Sequence, residues 1–138
     1  MQPQDQPAKP SDKPGTGKKV LCVEDEHFIS ELYERALKKA GYDVTTIVDG
    51  KEGLNEALTD KYDIILLDLM VPTMTGIEVL HNLRGTDQPP KIHSKIIITT
   101  NLEQRDEIRS NIEQHADGYL VKAEITPHEL VDFLNTII

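Results

Sequence analysis

Apolar residues recur along this chain with two alternating spacings, from Lys18 to the C-terminus. Five short runs have the composition of β-strands: VLCV, DVTTIV, DIILLDL, KIIITT and GYLV. Each run is followed by a segment with apolar residues near helical spacing: HFISELYERALKK, GKEGLNEAL, GIEVLHNLR, EQRDEIRSNIEQH and PHELVDFLNTII. Strict alternation of five strands with five helices predicts an α/β fold, in which a doubly wound parallel sheet carries helices on both faces.

Helix ends and apolar faces are also predicted from local sequence. Thr126 suits an N-cap, Pro127 suits the first helical position, and Glu129 falls in the first turn of the last helix. The apolar positions of the first helix are Phe28, Ile29, Leu32, Ala36, Leu37 and Ala40, and those of the third are Ile77, Leu80 and Leu83.

Residues 1–17 differ from the rest of the chain, because they contain four Pro and two Gly and almost no apolar side chain. Such a segment cannot bury enough surface to offset its ordering entropy. We expect a disordered tail or linker over residues 1–17 and one folded domain over residues 18–138. Since the fifth helix reaches the C-terminus, we expect no output domain within this sequence.

Composition narrows the classes of protein. The 138 residues carry a net charge of −9, and because residues 1–19 carry +2, residues 20–138 carry −11. An acidic body argues against direct nucleic-acid binding.

The single Cys22 excludes a disulfide framework and is expected to be an inert core residue, and the five histidines lack ligand spacing. No apolar run approaches the ~20 residues of a membrane span, and no signal peptide is visible, so a cytoplasmic setting is expected.

Charged and hydroxyl side chains follow the predicted strands. Glu24 and Asp25 follow the first strand, Asp68 ends the third, Thr100 ends the fourth, and Lys122 follows the fifth. Ligands bind at the carboxyl ends of the strands in such sheets, and the flavodoxin-like order 2-1-3-4-5 makes strands one and three neighbours. The three carboxylates would then repel one another, and a hard divalent cation such as Mg²⁺ is the natural relief.

Four motifs at these strand ends, VLCVEDE, DIILLDLMVPTMTG, KIIITT and GYLVK, together resemble a bacterial two-component response-regulator receiver domain of the stand-alone, chemotaxis-receiver-like kind. The resemblance covers residues 18–138. It implies a flavodoxin-like (βα)5 fold and phosphorelay signal transduction, in which the receiver accepts a phosphoryl group from a sensor histidine kinase or a phosphotransfer protein. It also implies no enzymatic activity beyond the receiver's own phosphorylation and dephosphorylation.

The resemblance assigns roles to individual residues. Asp68 is the phosphoryl acceptor, and the implied Mg²⁺ ligands are Glu24, Asp25, Asp68 and the backbone carbonyl of Met70, with Asp25 the preferred direct ligand. Thr100 is the switch hydroxyl, preferred over Thr99 because it lies 22 residues before Lys122. Lys122 pairs with the phosphoryl group, and Tyr119 is the aromatic residue whose rotamer follows the state of Thr100.

The resemblance also suggests where signals leave the domain and how long they last. The implied output surface, for a downstream protein target or a homodimer, comprises residues Glu103–Gln114, Gly118–Val121 and Pro127–Ile138. Neither nucleic acid nor membrane is an expected partner. Two apolar residues, Met70 and Leu102, occupy positions that tune hydrolysis in receivers, and they imply a long-lived aspartyl phosphate.

Three residues depart from the family pattern. Ala123 replaces the proline that usually follows the lysine, so we expect a trans peptide and an altered loop. Asn101 replaces a small alanine beside the switch hydroxyl, so access to Asp68 is expected to differ. Thr75 stands before Gly76, where an acidic or small residue is more usual.

Other interpretations remain open from the residues alone. Asp68 could begin a turn, Glu24, Asp25 or Thr100 could cap helices, and Tyr119 could pack at the edge of the core. The chain could be a degenerate receiver that binds partners without phosphorylation. An aspartyl-phosphate phosphatase is disfavoured because Met70 replaces a second aspartate, and a flavin protein because EDEH would repel a phosphate.

Overall fold

The protein forms one five-stranded parallel sheet flanked by helices, as the sequence predicts. The structure is a computed structural model that describes residues 17–101 and 103–138, so the predicted tail, apart from Gly17, and the predicted role of Leu102 lie outside the described residues. The strands are β1 (Lys19–Val23), β2 (Asp43–Ile47), β3 (Ile64–Asp68), β4 (Lys95–Thr100) and β5 (Gly118–Val121). The helices are α1 (His27–Lys39), α2 (Gly50–Ala57), α3 (Gly76–Leu80), α4 (Asp106–His115) and α5 (Pro127–Ile137).

The strand order is β2-β1-β3-β4-β5, which confirms the predicted order. All five residues of β3 are buried, because this central strand has a neighbour on each side and helices over both faces. Ile65 and Leu67 pack into the core beneath α2, α3 and α4, whereas Ile64 and Leu66 pack into the core beneath α1 and α5. The alternation along β3 therefore divides the interior into two apolar layers.

The predicted start of α5 is confirmed. Thr126 Oγ1 accepts a hydrogen bond from the Glu129 backbone N–H at 3.1 Å, and Glu129 Oε1 accepts one from the Thr126 N–H at 2.8 Å. Thr75 and Glu78 form a second capping box at the start of α3. This cap explains why threonine is suited to position 75, since its hydroxyl accepts a hydrogen bond from the Glu78 backbone N–H, which has no partner within the helix.

Two of the apolar residues at helical spacing are exposed. The buried face of α1 is formed by Ser30, Tyr33 and Leu37, and Phe28 is 73% exposed because it lies two residues, or about 200°, from Ser30 around the helix. Ile77 is 41% exposed and lies at the edge of the buried face of α3. There it lines an apolar groove between α3 and α4.

Arg84 ties three elements together at the end of the sheet where the strands begin. It lies in a π-helical turn, His81–Gly85, that continues α3. Its guanidinium donates hydrogen bonds to the backbone carbonyls of His115 at 3.2 Å and Ser94 at 2.8 Å, and lies 3.3 Å from Asp117 Oδ2. The end of α4 and the starts of β4 and β5 are thereby held by one planar cation.

The chain after β5 follows the expectation from Ala123. No peptide bond in the described part of the chain is cis, and Lys122–Glu124 form a 3₁₀ turn that leads into α5. Within residues 17–101 and 103–138, no helix combines the length and the apolar character that a membrane crossing requires.

Candidate functional site

Three carboxylates converge at the carboxyl edge of the sheet. Val23 and Leu67 are paired in the register of β1 and β3, so Glu24 and Asp68, the next residues, lie side by side. Carboxylate oxygens of Glu24, Asp25 and Asp68 lie within 4.8 Å of one another, which is the crowding that the sequence predicts. Glu24 and Asp68 are buried, whereas Asp25 faces solvent.

Backbone groups hold these side chains in place. Asp68 Oδ1 accepts a hydrogen bond from the Met70 N–H at 3.1 Å, and Glu24 Oε2 accepts one from the Glu26 N–H at 3.1 Å. Gly76 allows α3 to begin directly against the end of β3, because a Cβ at this position would lie 2.2 Å from the Asp68 carbonyl oxygen. The loop that follows β3 can therefore lie close against its strand, because Gly76 has no Cβ to prevent the approach.

Lys122 places its ammonium among three carboxylates. Its Nζ atom lies 2.7 Å from Glu24 Oε1, 2.9 Å from Asp68 Oδ2 and 3.3 Å from Glu26 Oε1, and its side chain is 4% exposed. Burial disfavours the charged amine, but hydrogen bonds and charge interactions with Glu24 and Asp68 outweigh burial and raise the pKa of Lys122. The lysine is therefore charged wherever the protein is folded near neutral pH.

The surroundings of Glu24 favour its protonated form. Burial, reinforced by the charge of Asp68 and opposed by Lys122, raises the pKa of Glu24 to about 7. Its Oε1 atom forms an ion pair with the Lys122 ammonium at 2.7 Å. Glu24, Asp25 and Asp68 together offer only carboxylate oxygens, and such a donor set fits a hard divalent cation such as Mg²⁺.

Thr100 and Tyr119 are joined through Gln104. The Gln104 side-chain amide donates a hydrogen bond to Thr100 Oγ1 at 3.2 Å, and the Gln104 backbone N–H donates one to the Tyr119 hydroxyl oxygen at 2.9 Å. The Arg109 guanidinium lies 4.6 Å from the centre of the Tyr119 ring. Tyr119 is thus held from two sides by the segment that leads into α4 and by α4 itself.

The structure brings most of the predicted site residues together. Asp68, Glu24, Asp25 and Lys122 form one cluster, and Thr100 is buried one residue beyond Thr99, which pairs with Asp68. Met70 contributes its N–H to Asp68, while its side chain is 70% exposed. Tyr119 lies on β5, half-buried.

Outside this cluster, the expectation of an inert Cys22 agrees with the structure. The side chain is buried in β1, and burial raises the pKa of its thiol to about 12. The thiolate, which is the reactive form, is therefore strongly disfavoured at neutral pH.

Sequence reasoning assigned no role to Glu26 or Gln104. Glu26 belongs to the acidic EDE triplet after β1, so its position in the sequence could have indicated a role at the site. Gln104 belongs to no motif that would have indicated one. For Asn101, the sequence predicts altered access to Asp68 but does not identify a partner. In the structure its Nδ2 donates a hydrogen bond to Glu26 Oε1 at 3.2 Å.

Comparisons with known proteins agree with this geometry. The sequence profile of the family described as "Response regulator receiver domain" matches residues 20–135. Response regulator ArlR of Staphylococcus saprophyticus is 39% identical over 104 residues, which are 75% of this chain and 45% of the relative. The alkaline phosphatase synthesis transcriptional regulatory protein PhoP of Bacillus subtilis is 39% identical over 113 residues, which are 82% of this chain and 45% of that protein. The chain thus spans less than half the length of these relatives.

Solved structures show the same fold. Chemotaxis response regulator CheY4 of Vibrio cholerae has a TM-score of 0.76 and 31% identity, covering 89% of this chain and 100% of that one. The receiver domain of sensor histidine kinase PA1611 from Pseudomonas aeruginosa has a TM-score of 0.72 and 28% identity, covering 88% of this chain and 97% of that one. The PA1611 structure has a magnesium ion coordinated in its active site cleft.

Proposed function

The chain belongs to the response regulator receiver domain family, and from that membership we propose that it accepts a phosphoryl group on Asp68 from a sensor histidine kinase or a phosphotransfer protein. Receiver domains are signalling domains of two-component systems and not metabolic enzymes. The observation that carries the proposal is the ion pair between the buried Asp68 carboxylate and the buried Lys122 ammonium, beside two further carboxylates.

The transfer is a substitution at phosphorus. An Asp68 carboxylate oxygen forms the new bond to phosphorus while the bond to the donor, a phosphohistidine nitrogen, breaks, and the imidazole leaves with its bonding electron pair and takes up a proton. Negative charge on the transferred group opposes attack by a carboxylate. Lys122 lowers this barrier, because its ammonium already contacts Asp68 Oδ2 and is positioned to pair with a phosphoryl oxygen.

We propose Mg²⁺ as the cofactor. Glu24, Asp25, Asp68 and the Met70 carbonyl would hold it, and a bound Mg²⁺ would supply charge neutralisation to the phosphoryl oxygens. Support comes from the convergence of three carboxylates, which offer oxygen ligands within 4.8 Å of one another. The chain's own contribution is to fix this donor set before the phosphodonor arrives.

The phosphorylated state would be transmitted through Thr100. Its hydroxyl would donate a hydrogen bond to a phosphoryl oxygen, and Gln104 links that hydroxyl to Tyr119 and α4. The proposed output surface, Glu103–Gln114 with Gly118–Val121 and Pro127–Ile138, would bind a downstream protein or a second copy of the chain. The acidic charge of residues 20–138 favours a protein partner over direct contact with nucleic acid, and a cytoplasmic setting stays a prediction from the sequence.

Intact mass spectrometry after incubation with Mg²⁺ and phosphoramidate tests the proposal. The wild-type protein is expected to gain one phosphoryl group, Asp68→Asn to gain none, and Asp87→Asn, an exposed control, to behave as wild type. Chelation of Mg²⁺ is expected to abolish the adduct. A wild type that stays unmodified would favour the degenerate receiver, which binds partners without phosphorylation.

A further inference from the structure

A continuous series of contacts surrounds the Asp68 carboxylate. Lys122 Nζ contacts Asp68 Oδ2 at 2.9 Å and Glu26 Oε1 at 3.3 Å, and the same Glu26 oxygen accepts a hydrogen bond from Asn101 Nδ2 at 3.2 Å. Asn101 follows β4, whose Thr99 is paired with Asp68. The series therefore runs from the end of β3 to the residue that follows the neighbouring strand β4.

The Glu26 and Asn101 end of this series reaches solvent, whereas the acceptor is buried. Asn101 is exposed and the Glu26 side chain is 47% exposed, whereas Asp68 is 1% exposed. Both acceptor oxygens are already in contact with the protein, Oδ1 with the Met70 N–H and Oδ2 with Lys122. A phosphodonor must displace part of this arrangement before its phosphorus atom can reach Asp68.

The contact between Glu26 and Asn101 is the easiest part to displace. It is a single hydrogen bond between two loops 75 residues apart in sequence, and both of its side chains reach solvent. Opening it also frees the Glu26 carboxylate, which lies 3.3 Å from the Lys122 ammonium, to move away from an anionic donor. Once Lys122 pairs with the incoming phosphoryl group, Glu26 loses its second contact and is repelled by the added charge.

We propose that the Glu26–Asn101 hydrogen bond is a gate over Asp68, and that these two residues limit the rate at which small phosphodonors modify the receiver. The gate rests on the proposed phosphorylation of Asp68. It assigns Asn101 and Glu26 as residues that control donor access, acting through the contact between them and not through the bond-forming step.

A double-mutant cycle tests the gate, with phosphoramidate as donor and intact mass as the readout. Asn101→Ala and Glu26→Ala are each expected to raise the rate of Asp68 phosphorylation roughly 3- to 10-fold, as the loss of one hydrogen bond allows. The double variant is expected to be no faster than Glu26→Ala alone, because one contact can be lost only once. The controls are Asn55→Ala on α2 and Glu31→Ala on α1, both at exposed positions.

The outcomes distinguish the proposed gate from the proposed phosphorylation of Asp68. If the wild type is phosphorylated and Asn101→Ala reacts at the same rate, the gate is overturned and the proposed function stands. Independent, additive effects of the two substitutions also overturn it. If no variant is phosphorylated, both proposals fail together, whereas modification of Asn101→Ala with an inert wild type supports both. Circular dichroism of each variant establishes that the fold is retained.

Discussion

The backbone N–H of Gln104 donates a hydrogen bond to the Tyr119 hydroxyl oxygen at 2.9 Å, across 15 positions of sequence. Because the side-chain amide of the same residue donates to Thr100 Oγ1, one glutamine joins the predicted switch hydroxyl to the predicted switch aromatic. On the proposed function, a movement of Thr100 toward a phosphoryl group would act on the segment that holds Tyr119, and through Arg109 on α4.

Gln104→Ala is expected to weaken this coupling while leaving phosphorylation of Asp68 intact. The substitution removes the amide that contacts Thr100 but keeps the backbone N–H that contacts Tyr119. With beryllium fluoride as a phosphoryl analogue, the Tyr119 ring is expected to show a smaller change in NMR chemical shift than in the wild type, since the hydrogen bond that joins Thr100 to the residue holding Tyr119 is lost. Gln114→Ala, at an exposed position on α4, is the control. Equal changes at Tyr119 in both variants would show that Gln104 carries no coupling.

Mg²⁺ is expected to raise the melting temperature of the protein. A ligand that binds only the folded state at ten times its Kd adds about 1.4 kcal/mol to the free energy of unfolding, which is roughly 4 °C for a domain of this size. Asp25→Ala is expected to lose most of that increment, and its metal-free stability is expected to rise slightly as one of three clustered charges disappears. Asp87→Ala controls for loss of a distant charge. Thermal unfolding with and without millimolar Mg²⁺ measures the shift in melting temperature. Identical wild-type curves would contradict the proposed Mg²⁺ site.

Without metal, Glu24 should make the protein less stable as pH rises. Burial raises the pKa of Glu24 from 4.5 to about 7, so between these values the folded chain holds more protons than the unfolded chain. The contribution of Glu24 to the free energy of unfolding is therefore largest below pH 4.5. It decreases as the pH rises through 7, by up to about 3 kcal/mol. Glu24→Gln is expected to flatten the profile in that window. Urea unfolding in the presence of a chelator, repeated at several pH values, measures this pH dependence. Parallel profiles for the wild type and Glu24→Gln would show that Glu24 does not cause it.

Arg84→Met is expected to lower the free energy of unfolding by roughly 1 to 3 kcal/mol, because it leaves carbonyl acceptors at the end of α4 and just before β4 without their donor. The stability of Arg84→Lys is expected to lie between those of the wild type and Arg84→Met, since an ammonium cannot span acceptors that a planar guanidinium reaches together. Arg35→Met, on the exposed face of α1, is the control. Urea titration compares the four proteins, and an Arg84→Met midpoint equal to that of Arg35→Met would exclude the structural role.

Local sequence was enough to predict the elements and the edge of the sheet that carries the chemistry. Period-two and helical spacings distinguish the strands from the helices, and the Thr126–Glu129 capping box is confirmed because its two partners lie three residues apart. Glu24, Asp25 and Asp68 were predicted to be neighbours because residues at the carboxyl ends of the adjacent parallel strands β1 and β3 must meet. Each of these inferences depends on contacts within one element or on a rule of topology.

Tertiary packing decided which side chains touch. Spacing placed Phe28 among the apolar residues of α1, but the sheet contacts the face of Ser30, Tyr33 and Leu37, and that orientation is set by packing against β1 and α5. The contacts of Glu26 with Asn101, and of Gln104 with Thr100 and Tyr119, are made by loop residues. Loops carry no hydrophobic period, so the distance between two loop side chains is set only when the strands beneath them are aligned in register. The chemistry at the strand ends therefore follows from the order of residues along the chain, and access to it from the folded arrangement of the loops above.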